Sequence, residues 1–277
     1  MLPAIGDRRI GSLTPADIRG LVGRWNECLA PRSVGRVYGT ARAVLNFAVE
    51  NETIARTPCR GIRLPAVQPA KVRIVTSDEL AALSEAMPSE HAAMAWIGAV
   101  LGLRWGEVAG LRVGSVDVLR RTVSVVEQVT RGKGGLPVVS APKSKAGRRE
   151  LMMPVALADL LGRHMAERGL TGADSQAFLF TGASGKPLDY TWWRRKVWLP
   201  ALDAAGLGGV GFHDLRRANA TEMVRAKVDI KTAQARLGHS DPRLTLAIYA
   251  QATTEGDAEA AERLGDRFMG RSARTSG

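Results

Sequence analysis

Apolar residues recur at helical spacing near the start of the chain. Ile18, Leu21, Val22 and Trp25 share one face of a helix that begins at Thr14-Pro15-Ala16-Asp17, a capping hydroxyl followed by proline at the first helical position. Val34, Val37, Ala41, Leu45 and Ala48 predict a second helix over about 33–51, with Arg32, Arg36 and Arg42 off its apolar stripe. The period fades after Asn51. From Thr57-Pro58-Cys59-Arg60-Gly61 to Leu64-Pro65-Ala66-Val67-Gln68-Pro69 the chain is dotted with prolines and reads as a connection between domains. Residues 1–65 are expected to form a small all-α domain, and 66–75 a linker.

A second unit begins sharply. Thr76 and Glu79 have the spacing of a capping box ahead of Leu80 and Leu83, and an apolar helix follows over about 91–102. Strand-like stretches then appear at Thr122–Glu127, Pro137–Ser140 and Glu150–Pro154, with a turn at Gly132–Gly135, so a small antiparallel sheet is predicted. Helical patterns return at about 156–168, 190–205, 214–226, 230–237 and 242–253. Helices, a short sheet, then helices make the expected class α+β and mostly helical, not an alternating βαβ fold. The larger domain is expected over 76–254. In the tail, 255–277, Ala258, Ala261, Leu264 and Phe268 repeat at three- or four-residue steps, among five acids (Glu255, Asp257, Glu259, Glu262, Asp266) and two arginines (Arg263, Arg267). That pattern predicts a helix that either packs on its own domain or turns its acidic face to a basic partner surface.

Length and composition narrow the class. A chain of 277 residues can bury a sizeable core, and 45% hydrophobic with 24% charged residues argues against wholesale disorder. No apolar run approaches the ~20 residues of a membrane helix. Met1-Leu2-Pro3-Ala4-Ile5-Gly6-Asp7 lacks the pattern of a signal peptide, so a cytoplasmic location and no membrane partner are expected. Cys28 and Cys59 cannot build a disulfide framework, and no Cys/His cluster has zinc spacing. The charge adds more: 39 Lys+Arg against 27 Asp+Glu give a formal net charge of +12, with Arg outnumbering Lys severalfold. Guanidinium clamps phosphate with a planar fork, so a phosphate-rich partner is the first expectation, beside the plainer one of a merely basic soluble protein.

Four segments place polar groups where chemistry could use them. In Leu101-Gly102-Leu103-Arg104-Trp105-Gly106-Glu107, Arg104 follows one of the most apolar stretches of the chain. A buried cation there needs a partner, either a structural salt bridge with Glu107 or a ligand. In Phe212-His213-Asp214-Leu215-Arg216-Arg217, His213 and Arg216 share a helix face, as a phosphate site or as a helix start with surface polar groups. Leu237-Gly238-His239-Ser240-Asp241-Pro242 is followed, ten residues after His239, by Tyr249, which on its own reads as an amphipathic residue at a helix edge. Residues 131–149, including Pro142-Lys143-Ser144-Lys145-Ala146-Gly147-Arg148-Arg149, hold six Lys/Arg and no acid, which fits a solvated hairpin tip or a phosphate patch.

In order and spacing, Arg104, Lys143, His213, Arg216, His239 and Tyr249 resemble the catalytic set of the tyrosine recombinases, the phage-integrase-like enzymes. Gly102–Glu107 resembles that family's G-x-R-x-x-E box, His213–Arg216 matches H-x-L-R, Leu237–Ser240 matches L-G-H-S, and Pro142-Lys143-Ser144 resembles its β-hairpin lysine motif. The resemblance spans nearly the whole chain, with 1–65 similar to a core-binding domain and 76–254 to a catalytic domain. The chain opens inside the family's usual first stretch, so an N-terminally shortened core-binding domain and weakened DNA binding are expected.

The resemblance implies a site-specific recombinase that needs neither metal nor ATP nor another cofactor. Arg104, Arg216 and His239 would hold the phosphate oxygens, and His213 would accept a proton or orient the phosphate. Lys143 would protonate the leaving 5′-oxygen. Tyr249 would be the nucleophile of a 3′-phosphotyrosyl intermediate, its phenol acidified by nearby cations from about 10. Implied partners are double-stranded DNA carrying attachment sites, three further copies in a tetramer on DNA, and accessory bending or directionality factors. The tail helix would dock on the next copy. Candidate DNA contacts are Arg32, Arg36, Arg42, Lys145, Arg148, Arg194 and Arg195. Two other readings share these residues, a non-catalytic DNA-binding remnant and a type IB topoisomerase-like relaxer.

Overall fold

The computed structural model describes residues 2–67, 74–142, 144–182, 185–252 and Gly265. The chain divides into two compact units, Met1–Lys71 and Val72–Gly277.

The first unit is helical: α1 (Leu2–Ile5), α2 (Pro15–Cys28) and α3 (Pro31–Glu50). Thr14 caps α2 as its sequence predicts, accepting from the Asp17 amide while Asp17 accepts from the Thr14 amide at 2.8 Å. Ile18, Leu21, Val22, Val34, Leu45 and Ala48 meet in the core, whereas Trp25 and Val37 are only half-buried. Tyr38 takes the neighbouring core position, its hydroxyl donating to the Cys59 carbonyl at 3.3 Å. The proline-dotted stretch does not leave the domain where its periodicity ends. Ile54, Pro58 and Cys59 are buried, and only beyond them does the chain open out. Linker residues 68–73 lie outside the described residues. Arg32, Arg36 and Arg42 are exposed.

The second unit begins with α4 (Ser77–Ala86) and α5 (Ser89–Val100), then α6 (Trp105–Ala109). Five strands follow: β1 (Val116–Asp117), β2 (Thr122–Val125), β3 (Gln128–Arg131), β4 (Pro137–Ser140) and β5 (Arg149–Met152). Next come α7 (Val155–Glu167), α8 (Tyr190–Trp193), a π-helical turn at Arg194–Trp198, α9 (Leu199–Ala204), α10 (Phe212–Arg225), α11 (Ile230–Leu237) and α12 (Pro242–Ala252). Where one sheet was expected, the described residues form two, both antiparallel. One has the order β1-β2-β5, with Val123 opposite Leu151; the other is the β3–β4 hairpin, with Val129 opposite Val139. The Gly132–Gly135 turn thus joins β4 to Gln128–Arg131, whose single apolar residue carries no alternating signal.

The helix predicted over 190–205 is also modified. Pro200 has no N–H to offer the carbonyl four residues back, and the turn just before it widens. Trp193 and Trp198 stack at 5.3 Å in the core, with Phe212 edge-on to both, and Leu83, Met94, Ile97, Leu101, Leu161 and Leu215 close around them. No helix among the described residues is long and apolar enough to cross a membrane. The tail helix lies outside the described residues, Gly265 apart.

Candidate active site

The first cationic group stands at the α5–α6 turn. Gly102 there has φ +66°, and a Cβ on it would lie 2.6 Å from Asn219 Oδ1. The turn drives Leu103 into the core and leaves Arg104 as the residue that opens α6. The Arg104 amide donates to Glu107 Oε2 at 2.9 Å and its Nη1 to Glu107 Oε1 at 2.9 Å. Arg104 was expected to be buried; its side chain is 40% exposed, so the pair with Glu107 occupies one edge of the guanidinium and the rest faces outward. Glu107 is itself buried and also receives Arg149 Nη1 at 3.1 Å and Nη2 at 3.0 Å. Burial works against its charge, but the bonds and charge of Arg149, and then of Arg104, outweigh it and hold the carboxyl below its ordinary range.

The second group lies on α10. Asp214 accepts from the Gly211 amide at 2.8 Å and fixes the helix start. His213, in the first turn, is exposed. Arg216 is 3% exposed and bridges two turns: Nη1 donates to the Gly102 carbonyl at 2.6 Å and Nη2 to the Leu237 carbonyl. Burial, and then repulsion from Arg104, pulls Arg216 down to about 9, which still leaves it cationic at neutral pH.

The third group follows α11. Gly238 ends that helix in the left-handed region at φ +61°, with Ala146 O and Arg149 Nη1 each 2.9 Å from where a Cβ would be. His239 comes next, buried, with Nδ1 at 2.9 Å from the hydroxyl of the fully buried Thr245 on α12. Burial, then Arg216, Arg104, Arg149 and His213 in turn, pushes His239 down to about 4, so it is neutral at pH 7. A Thr245 hydroxyl donating into Nδ1 leaves the ring proton on Nε2. His213 is lowered too, by desolvation, then Arg216, Arg217 and Arg104, with Asp214 opposing.

Tyr249 is elsewhere. Half-buried on α12, it packs on the cluster of Ala220, Met223, Ala233 and Leu237, and its hydroxyl donates to the Val228 carbonyl ahead of α11. All eight residues of α11 lie between that carbonyl and the turn holding His239. The expectation of an acidified phenol is overturned for this conformation. Burial, and then Asp229, raises Tyr249 above 10.

The described residues therefore bring Arg104, His213, Arg216 and His239 into one electrostatic group, while the Tyr249 hydroxyl bonds the Val228 carbonyl. Lys143 lies outside the described residues. Lys145 and Arg148 are exposed on the same β4–β5 connection, and Arg194 and Arg195 are exposed on the π turn. Sequence reasoning missed two participants, Arg149 and Thr245. Arg149 was legible: period-two alternation puts it on one strand face with Leu151 and Met153, both buried, and a cation on the inward face needs a partner.

The model for the phage integrase family matches residues 73–255. The chain is 29% identical over 270 residues to the integrase of Mycobacterium phage L5, covering 95% of this chain and 71% of that one. It is 28% identical over 267 residues to the integrase of Mycobacterium phage FRAT1, covering 95% and 78%. Among solved structures it resembles the Tn1549 transposon integrase in complex with a circular intermediate DNA, with a TM-score of 0.79, 20% identity, and 92% and 87% of the two chains covered. It also resembles a lambda integrase tetramer bound to a Holliday junction, with a TM-score of 0.62, 16% identity, and 89% and 67% covered.

Proposed function

This chain belongs to the phage integrase family, and from that membership we propose how its side chains recombine DNA. It is a tyrosine site-specific recombinase, and its substrate is double-stranded DNA carrying attachment sites. The phenolate of Tyr249 attacks a backbone phosphorus, a 3′-phosphotyrosyl bond forms, and the bond to the 5′-oxygen breaks. His213 takes the phenol proton and Lys143 returns one to the leaving oxygen. Arg104 and Arg216 hold the non-bridging oxygens as they gain charge, and neutral His239 donates to the same phosphate. Attack by a free 5′-hydroxyl reverses the step, so the bond energy is retained and no ATP is needed.

The observation that carries this reading is Arg216. A buried guanidinium is tied to carbonyls of the two turns that present Arg104 and His239, which preorganises three phosphate ligands before substrate arrives. For reaction, Tyr249 must leave the Val228 carbonyl, which makes α12 the element that moves. Arg32, Arg36 and Arg42 of the first unit and Lys145, Arg148, Arg194 and Arg195 of the second supply the contacts to the DNA backbone. Exchange between two paired sites requires four copies on DNA, and the acidic tail is the candidate connector between them. A non-catalytic remnant is not favoured, since each motif residue of the chemistry is in place in the sequence. A topoisomerase-like relaxer would act without a defined site.

The test uses a nicked duplex with the junction sequence that flanks the coding gene. The unsubstituted chain is expected to give a covalent adduct on a denaturing gel, while Tyr249→Phe gives none and still shifts the duplex. An adduct that persists in Tyr249→Phe removes this nucleophile.

A further inference from the structure

Arg149 has no role in the chemistry proposed above, yet its side chain is only 7% exposed and four of its five N–H groups are engaged. Nε donates to the Arg236 carbonyl at 2.8 Å, Nη1 to Glu107 Oε1 at 3.1 Å and to the Gly147 carbonyl at 3.0 Å, and Nη2 to Glu107 Oε2 at 3.0 Å. We propose that Arg149 is a positioning residue for strand cleavage, because one buried guanidinium joins the Glu107–Arg104 pair, the end of α11 before His239, and the connection that carries Lys143. The proposal rests on the recombinase reading for its catalytic consequence and on the geometry alone for its structural one.

Three couplings meet at this side chain. Each Glu107 oxygen accepts one bond from Arg104 and one from Arg149, so a single buried carboxylate ties the two residues together. Without Arg149 that buried carboxylate would keep half its partners and reorient, taking Arg104 with it. The Arg236 carbonyl is among the last of α11, where no intrahelical donor remains, and Arg149 satisfies it three residues before His239. The close approach of Gly238 to Arg149 Nη1 fixes the same turn from the other side. The bond to Gly147 pins the turn four residues past Lys143. Lysine at this position would keep the charge but could not fork between three segments. With one N–H left, Arg149 acts through Arg104 and His239 rather than on the phosphate.

The experiment is Arg149→Lys in the full chain, read in two ways. The first is adduct formation on the nicked duplex, expected to fall about 10²-fold, as for small misplacements of catalytic groups, while the electrophoretic affinity stays within about twofold. The second needs no DNA. The His239 imidazole, assigned by its disappearance in His239→Gln, is followed through pH by ¹⁵N spectra. It is expected to titrate above its position near 4 in the unsubstituted chain, although the charge at 149 is unchanged. Glu107→Gln keeps the shape of the clamp and weakens it, so the same loss of adduct formation is expected; it replaces Arg149→Lys in that measurement if that variant does not fold. An unchanged His239 titration, or adduct formation within about threefold of the unsubstituted chain, overturns the proposal. If no chain forms an adduct at all, the recombinase reading fails, and the His239 titration alone decides the role of Arg149.

Discussion

Arg216 concentrates the physics of the site in one residue. Burial disfavours its charge and Arg104 repels it, so the side chain stays where it is because two carbonyls neutralise its inner edge. Lysine cannot reach both. Arg216→Lys is expected to slow adduct formation about 10²–10³-fold, the usual loss for one preorganised oxyanion donor. It should also cost about 1–3 kcal/mol of stability, because a buried carbonyl loses its donor. Single-turnover cleavage and urea unfolding measure the two effects, and full activity in this variant would make Arg216 a structural residue. Tyr249 shows the converse. Its phenol is raised in this conformation by burial against an apolar cluster and then by Asp229, where the motif led to the opposite expectation.

Among the elements, the α5–α6 turn governs most of the site, since it presents Arg104 outward and the Gly102 carbonyl to Arg216. Gly102→Ala would force a Cβ into the left-handed region, at about 1–2 kcal/mol, and within 2.6 Å of Asn219 Oδ1. Asn219 cannot easily retreat, because its Nδ2 donates to the Val100 carbonyl at 3.0 Å. The expected outcome is a lower thermal midpoint together with slower cleavage; a variant as stable and active as the parent would show that the turn is adaptable. The elements also show where patterning is legible. α2, α4 and α11 carry caps and apolar spacing that mark them in the sequence. β3 does not, because Gln128, Thr130 and Arg131 are polar and its place is set by pairing with β4 and by α6, whose Gly106 lies against the Val129 carbonyl.

At the scale of the whole molecule, buried histidines couple the fold to pH. His239, His91 and His164 are all lowered, burial being the largest cause in each. The unfolded chain takes up protons near 6.5, while folded His239 does so only near 4. Stability is therefore fully present above about pH 6.5 and is lost as pH falls from there toward 4, by on the order of 3 kcal/mol from His239 alone. Urea midpoints at pH 7.5 and pH 5 measure this, and His239→Gln is expected to flatten the dependence. An unchanged midpoint between the two pH values would show that these histidines are not held neutral.

Local chemistry along the chain determined the class, the helices that carry their own caps, and the identity of the motif residues, because apolar period, capping and residue order are properties of neighbouring positions. Only the tertiary structure decided which groups meet. Arg216 reaches Gly102 across 114 residues, and Arg149 reaches Arg236 across 87. Such pairings depend on how helix ends and strands pack around a common core, so no local pattern encodes them. The same packing seats the Tyr249 hydroxyl on the Val228 carbonyl, at the far end of α11 from His239, although the sequence places the two residues one short helix apart.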